Sequence, residues 1–179
     1  MAYLFLVRRC YALTEMKHYD APWSRLLVVI SMLATLLCLV IAFMPHTATA
    51  RLNPLFFCLR TAPIALVVGC ALFTIRGYSL APEAILIHRL LWSTRLPLAG
   101  MQSADFQPDA MRGAWRTWGN GGLFSITGFY RNQLLGPFRA FVTDPRRTVV
   151  LRYSERTVVL SPSDPETFVH DVLPTNRNA

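Results

Sequence analysis

Hydrophobic and polar residues are distributed unevenly along this chain and divide it into two parts. A run of 19 residues without a charge extends from Leu26 to Met44. A second run of 21 residues, from Leu55 to Ile75, contains one charge, Arg60. A helix needs about 20 apolar residues to cross the hydrocarbon core of a bilayer. The pattern therefore predicts two transmembrane helices, 26–44 and 55–75, with a short external connector between them.

Three features of these runs bear on how the helices would pack. Arg60 lies near the start of the second run, so its stem can extend to the membrane interface. Pro63 removes a backbone donor and is expected to kink that helix. Small residues recur at helical spacing and allow close approach of membrane helices: Ala34, Cys38, Ala42, Ala65 and Gly69. This pattern predicts a helical hairpin or pairing with other copies.

After Gly77 the pattern changes to short segments rich in β-branched and aromatic residues, which are typical of strands. Asn120-Gly121-Gly122 can supply the positive φ angles of a tight hairpin turn, and Asp144-Pro145 opens another turn. Short strands with closely spaced turns predict a small antiparallel sandwich or barrel. The predicted strands are 84–90, 93–98, 102–107, 113–118, 123–126, 138–143, 148–153 and 157–161.

A helix is predicted to close the chain. Ser163 and Glu166 have the spacing of a capping box, with Ser163 as N-cap and Pro165 early in the first turn. Pro174 is expected to end the helix. Its apolar residues fall on one face and would plug an open end of the sheet structure: Phe168, Val169, Val172 and Leu173.

Charge supports the division and sets an orientation. The net charge is +8, of which residues 1–76 contribute +5, from seven basic and two acidic residues. Residues 77–179 contribute +3, from eleven basic and eight acidic residues. Basic residues flank the outer ends of the helix pair, whereas the connector contains only Arg51. The positive-inside rule then places both termini in the cytoplasm, at the cell inner membrane. A nucleic-acid partner is not expected, because a basic footprint would cluster on the soluble part.

Two alternatives concern the N-terminus. Residues 1–25 are interpreted as a cytoplasmic leader, and Met16 is an alternative translation start. Ala48-Thr49-Ala50 has the form of a signal-peptidase site. The 19-residue apolar run is longer than the usual signal-peptide core of about 7–15 residues, which favours a membrane helix.

Searches for catalytic chemistry find no motif. The cysteines at 10, 38, 58 and 70 have no CxxC spacing, and the histidines at 18, 46, 88 and 170 have no H-E-x-x-H spacing. Phosphate-loop and dinucleotide fingerprints are missing too. The sequence predicts no catalytic residue, no metal site and no cofactor, and therefore not an enzyme.

The candidate binding residues surround the glycine-rich segment. Arginine guanidinium groups and exposed backbone amides together can hold a phosphate or a carboxylate. The competing interpretation is that the tryptophans pack in the core and the arginines are solvated. The candidates are Arg112, Arg116, Trp118, Asn120, Arg131 and Arg139.

The same segment carries a family resemblance. Trp118-Gly119-Asn120-Gly121-Gly122-Leu123-Phe124, then Thr127-Gly128, Arg131-Asn132 and Leu135-Gly136, resemble the bacterial pleckstrin-homology-like domain family. The likeness covers roughly Tyr78 to Leu173, and the two-helix anchor is similar as well. It implies a seven-stranded, half-open barrel capped by a C-terminal helix, and it implies no activity.

Together these observations predict a membrane-anchored α+β protein: a two-helix transmembrane hairpin, a PH-like antiparallel β-barrel over 77–173 capped by a C-terminal helix, and a tail, 174–179. The predicted function is a non-enzymatic binding or scaffold module at the cytoplasmic face of the membrane. Its expected partners are the lipid bilayer, anionic lipid headgroups, a protein segment or further copies of the chain. The alternative is a small accessory or assembly subunit of a membrane protein complex.

Overall fold

The computed structural model describes the backbone of residues 16–44 and 54–177, and the side chains of residues 16–44 and 58–173. The predictions for residues 1–15, for the connector and for the Ala48–Ala50 motif lie outside these residues. The helices are α1 (Arg25–Phe43), α2 (Pro54–Leu72) and α3 (Pro165–Arg177). The strands are β1 (Lys17–Asp20), β2 (Ile75–Ala81), β3 (Ala84–Arg89), β4 (Ser93–Pro97), β5 (Met101–Phe106), β6 (Trp115–Leu123), β7 (Ser125–Asn132), β8 (Gly136–Val142), β9 (Val149–Tyr153) and β10 (Thr157–Leu160).

The described strands form two sheets. One has four strands in the order β1-β2-β3-β4, and the other has six in the order β5-β9-β10-β8-β7-β6. The predicted antiparallel barrel is not closed, because no strand pairing joins the two sheets among the described residues. Strand β10 lies between β8 and β9 and runs parallel to β8. The architecture is a β-sandwich with a C-terminal helix.

The main core lies between the two sheets and α3. Fully buried aliphatic side chains from β2, β3, β9 and β10 meet there, and Phe168 and Val172 of α3 pack against them. A second cluster, which includes Tyr130, Phe138 and Val142, lies under the loop of residues 107–114. The six-stranded sheet is therefore covered by apolar side chains on both faces.

The start of α3 differs from the prediction by one residue. The Asp164 carboxylate accepts a hydrogen bond from the Thr167 amide at 3.2 Å and one from the Thr167 hydroxyl at 2.7 Å. These bonds make Asp164 the N-cap in place of Ser163, with Pro165 as the first helical residue. They also lower the pKa of Asp164. The helix continues past Pro174 to Arg177.

The glycine-rich segment is not the predicted turn. Residues 120–122 lie inside β6, and the chain reverses at Phe124, whose φ is 63°. Gly119 pairs directly with Gly128 across β6 and β7, and a Cβ on Gly128 would lie 2.1 Å from the Trp118 carbonyl oxygen. The Leu123 amide donates to the Asn120 side chain at 3.2 Å and supports the irregular end of the strand.

The second apolar run ends earlier than predicted. Helix α2 stops at Leu72, and Ile75 begins β2, where its side chain is fully buried. The Phe73 carbonyl, at the end of α2, accepts from the Arg89 Nη1 at 3.1 Å and from the Ser125 hydroxyl at 3.0 Å. The end of α2 is thereby fixed to both sheets.

Strand β1 was not predicted from the sequence. It pairs antiparallel with β2, from Lys17 opposite Leu80 to Asp20 opposite Gly77. The Lys17 ammonium lies 2.7 Å from the Asp171 carboxylate of α3, and the Ser163 amide donates to the Asp20 carbonyl at 2.9 Å. Residues ahead of α1 are thus part of the domain that follows α2.

A chain of polar side chains crosses this four-stranded sheet. The Ser79 hydroxyl is hydrogen-bonded to the His18 Nδ1 at 3.1 Å and to the His88 Nε2 at 2.7 Å. The His88 Nδ1 is hydrogen-bonded to the Ser93 hydroxyl at 3.0 Å. Burial lowers the pKa of His88, and the charge of the neighbouring His18 lowers it further. These hydrogen bonds link β1 to β4 and give His88 a structural role.

Helices α1 and α2 pack against each other. Ser24 caps α1 by accepting from the Leu27 amide at 3.2 Å, and the Ser31 hydroxyl accepts from the Phe124 amide at 2.9 Å. At the other end of α1, Arg60 of α2 donates its Nε–H to the Ala42 carbonyl. Among the described residues, α1 alone is long and apolar enough to cross a membrane, and only 17% of its apolar stretch is buried. The described apolar part of α2, Cys58–Leu72, is shorter.

We expect the domain to lose stability in alkaline solution because of Tyr78. Burial raises the pKa of Tyr78 to about 12, and its hydroxyl donates to the Phe141 carbonyl at 2.7 Å. An unfolded tyrosine ionises near pH 10, so this contribution is complete below about pH 10 and decreases as the pH rises toward 12. The loss for Tyr78 alone is about 1.4 kcal/mol per pH unit in that window.

Tyrosinate absorbance and far-UV circular dichroism followed together against pH check this expectation. Ionisation of the buried tyrosines should accompany unfolding, and burial likewise raises the pKa of Tyr130 and Tyr153. The Tyr78→Phe variant should show a shallower fall in stability between about pH 10 and pH 12. Complete ionisation of all six tyrosines near pH 10 with the fold intact would contradict it.

Candidate binding site

A cavity of about 550 Å³ opens where the end of α2 meets the six-stranded sheet. One wall comes from the last turns of α2, which contribute Ala65, Leu66 and Gly69. The other walls come from β6, β7 and β8, and Arg89 of β3 closes one end. The cavity is therefore bounded by an apolar helix on one side and by a mixed polar and aromatic sheet face on the other.

Arg89 is the most buried charged side chain of this site, with 8% of its surface exposed. Its Nε donates to the Thr94 hydroxyl at 3.2 Å, and its Nη1 donates to the Phe73 carbonyl at 3.1 Å. Its guanidinium carbon lies 5.3 Å from the Phe73 ring centre and 5.8 Å from that of Trp92. Aromatic faces of this kind stabilise a desolvated cation.

A second arginine, Arg139 of β8, lines the same cavity and is exposed. Its guanidinium carbon lies 4.8 Å from the Phe141 ring centre, and that of Arg89 lies 5.3 Å from the same centre. Phe129, opposite Arg139 in the β7–β8 register, provides another ring at 5.6 Å. Both guanidinium groups therefore contact the same aromatic ring, that of Phe141.

The positive charges of Arg89 and Arg139 act unfavourably on each other. Burial lowers the pKa of Arg89, and the positive charge of Arg139 lowers it further. Neither arginine forms an ion pair with a carboxylate within the described parts of the chain. The cavity thus combines two cationic groups, the Thr127 residue and an apolar wall, which suits an anion that carries an apolar part.

A family model for the bacterial PH domain matches residues 76–174, which is more than half of the chain. The chain belongs to the bacterial PH domain family. No curated protein and no solved structure matches it. Membership indicates a binding or scaffold module, since PH domains are generally non-catalytic, and it confirms the family predicted from the glycine-rich segment. In this PH domain the segment forms β6 and part of the cavity wall.

The structure divides the six predicted binding residues among different surfaces of the PH domain. Trp118, Asn120 and Arg139 line the cavity. Arg112 lines a separate cavity of about 540 Å³ beside the loop of residues 107–114, together with Asp109. Arg116 and Arg131 are exposed on β6 and β7 and line neither cavity.

Arg116 and Asn120 are partly engaged within β6 itself. The Arg116 Nη1 donates to the Gly119 carbonyl at 3.1 Å, and the Asn120 side chain bonds to Leu123. Trp118 is 77% exposed, so the alternative that it packs in the core is wrong. Its exposure makes it available to a ligand.

Sequence reasoning missed Arg89, the best-anchored cation of the cavity. A signal for it was present, because Ile85, Ile87 and Arg89 occupy alternate positions of β3 and all three are buried. A charge at the inward position of an apolar strand indicates a buried polar site. No group of three or more potential metal ligands occurs among the described residues.

Proposed function

We propose that this chain is a non-enzymatic PH module anchored on the cytoplasmic surface of the membrane by a hairpin of α1 and α2. The pairing of β1 with β2 carries the proposal. One strand comes directly before α1 and the other directly after α2, so both outer helix ends belong to one domain. If α1 crosses the bilayer, α2 has to bring the chain back to the same side.

Side chains near these helix ends support a membrane interface at this position. Trp23 precedes α1, Phe73 follows α2, and the Phe73 ring lies 5.2 Å from that of Trp92. With Leu91 and Trp118, these side chains are exposed around the outer ends of the helix pair. Tryptophan and other aromatic residues prefer the headgroup level of a bilayer. The positive-inside rule favours the cytoplasmic leaflet, since Arg25, Arg76 and Arg139 place positive charge near these helix ends.

The ligand classes compatible with such a module are a protein segment, a second copy of the chain, or an anionic lipid headgroup. The accessory-subunit alternative relied on the stripe of small residues to dock a partner. In the described helices Ala42 of this stripe is used within the chain, since it is buried and its carbonyl accepts from Arg60, and Ala65 and Gly69 line the cavity. This observation favours the binding module.

Membrane fractionation tests the anchor. The full chain should stay in the membrane pellet after alkaline carbonate extraction. The double variant Leu33→Arg/Leu37→Arg should reduce the pelleted fraction at least about tenfold, because each arginine at mid-helix costs about 2.5–3.5 kcal/mol of insertion. Both leucines are exposed on α1. Protease should reach a C-terminal tag in inverted vesicles and not in intact spheroplasts.

Leu134→Arg is the matched control, because Leu134 is also exposed but lies in the β7–β8 turn of the PH domain. Its pelleted fraction should equal that of the wild type. Extraction of the wild-type chain by carbonate would reject the membrane anchor. Digestion of the tag in intact spheroplasts would reject the cytoplasmic orientation alone.

A further inference from the structure

Two arginines of the cavity have a charge that nothing in the described structure neutralises. Three other arginines of the domain have a carboxylate within 4 Å, namely Arg95, Arg147 and Arg152. Arg89 and Arg139 have none among the described residues. Burying a cation without a counter-ion is costly, and for Arg89 the cost is only partly offset by its hydrogen bonds. An anion in the cavity would remove this imbalance.

The geometry of the pair is suited to phosphate oxygens. Both guanidinium groups lie against the Phe141 ring, so each is held before a ligand arrives. A guanidinium group offers two parallel N–H donors, which match two oxygens of one phosphate. Because the rings and the Phe73 carbonyl already position Arg89, little side-chain freedom would be lost on binding.

The other half of the cavity is apolar and continuous with α2. Ala65, Leu66 and Gly69 form its helical wall, and Leu66 is 62% exposed. Phe129 and Trp118 form the facing wall. A small soluble phosphate would contact the cationic end alone. A phospholipid has a phosphate at one end and hydrocarbon at the other, and so matches both halves.

We propose that this cavity binds one anionic phospholipid, with its phosphodiester at Arg89 and Arg139 and its acyl chains along the outer surface of α2. The inference rests on the proposed function, because the lipid reaches the cavity only if α2 lies in the bilayer. It goes further by giving the PH module a defined ligand class and site. The bound lipid lies between α2 and the domain, and its phosphate neutralises the charges of Arg89 and Arg139.

The test uses the full-length protein, delipidated in an uncharged detergent, with phosphatidylglycerol as the probe and native mass spectrometry as the readout. The wild-type protein should bind one molecule of the added phosphatidylglycerol. Arg139→Gln should lower the affinity at least about tenfold, because a charge-assisted contact is lost. Arg131→Gln makes the same charge change on an exposed neighbour outside the cavity and should change the affinity less than about twofold.

A second variant blocks the apolar half without changing charge. A Cβ on Gly69 would meet no atom within 4 Å, so Gly69→Leu should fold and fill the cavity. We expect it also to weaken phosphatidylglycerol binding at least about tenfold. Arg139→Gln should remain fully in the carbonate-resistant pellet, which separates failure of this site from failure of the anchor.

Several outcomes would overturn the proposal. Equal losses for Arg139→Gln and Arg131→Gln would indicate a general surface charge effect. Competition by inorganic phosphate or glycerol 3-phosphate as strong as by the lipid, with Gly69→Leu unaffected, would indicate a soluble phosphate ligand. Displacement of the lipid by an acidic peptide that binds more tightly would assign the cavity to a protein segment.

Discussion

The Gly128→Ala variant should lose at least about 3 kcal/mol of the free energy of unfolding. Gly128 has a φ of 140°, which L-residues rarely adopt, and its strained backbone alone costs about 1–3 kcal/mol with a side chain. The added Cβ would also lie 2.1 Å from the Trp118 carbonyl oxygen and 2.8 Å from the Gly119 Cα. Both are backbone atoms, so relief of the contact requires β6 and β7 to separate.

Thermal unfolding of the full-length variant in detergent, followed by circular dichroism, gives the measurement. A loss of this size should lower the melting temperature by roughly 6–12 °C in a chain of this length. Because Gly119 and Gly128 also line the cavity, the same variant should lose the ligand-binding surface as it loses the strand pair.

Gly136→Ala is the control for backbone conformation without a steric clash. Gly136 also has a positive φ, 68°, but a Cβ there would meet no atom within 4 Å. Its cost should be limited to the left-handed backbone, about 1–2 kcal/mol. Equal destabilisation by the two variants would show that the close approach of β6 and β7 is not the reason for the glycine pair.

The Phe168→Ala variant should lose about 3–5 kcal/mol, the usual cost of removing a fully buried aromatic ring. The ring packs edge-on against Tyr19 at 5.0 Å and lies 6.5 Å from the Tyr78 ring. Its removal therefore opens a hole between α3, β1 and β2. Denaturant unfolding measures the loss, and hydrogen exchange should show faster exchange of the β1 amides than of β9 amides.

Leu173→Ala tests whether this effect comes from burial or from any truncation of α3. Leu173 lies five residues further along the same helix and is 39% exposed. Its truncation should cost less than about 1 kcal/mol, because little apolar surface returns to water. A loss in Leu173→Ala comparable to that in Phe168→Ala would mean that the effect does not depend on burial of the Phe168 ring.

The elements that sequence predicted well are those with a local signal. The first apolar run is uniform over a whole helix, and the hairpin of β9 and β10 alternates around a short turn. The start of the capped helix was predicted within one residue, because Ser163 and Asp164 are both good N-caps and the sequence does not rank them. Strand β1 has four residues, K-H-Y-D, with no apolar alternation. Only its partner β2, far along the chain, makes it a strand.

The glycine-rich segment shows why a local pattern can indicate the wrong structure. Asn-Gly-Gly suits a hairpin turn because glycine adopts positive φ. Here positive φ is needed for a different reason, the contact between Gly119 and Gly128 inside paired strands. That reason depends on a residue in the next strand, which the segment itself does not reveal.

The candidate site was predicted in part for a similar reason. Arg139 and Trp118 were chosen because basic and aromatic residues cluster near the glycines, and both line the cavity. Composition alone did not separate them from Arg112 or Arg131. Arg112 lines the other cavity, and Arg131 is exposed and lines neither cavity. Arg89 lies in the predicted strand 84–90, but it was not chosen as a binding residue although its place in β3 makes it a buried charge.

The position of β1 sets an order of events during synthesis. The ribosome makes β1 before α1, but its partner β2 only after α2, so the four-stranded sheet stays incomplete until both apolar helices have emerged. Until then β1 has no partner strand, and an unpaired strand edge is prone to association with other chains. A fragment that starts where the family match starts, at residue 76, lacks β1 and leaves the edge of β2 open permanently. The unit that folds is therefore larger than the range matched by the family and includes residues on both sides of the helix pair.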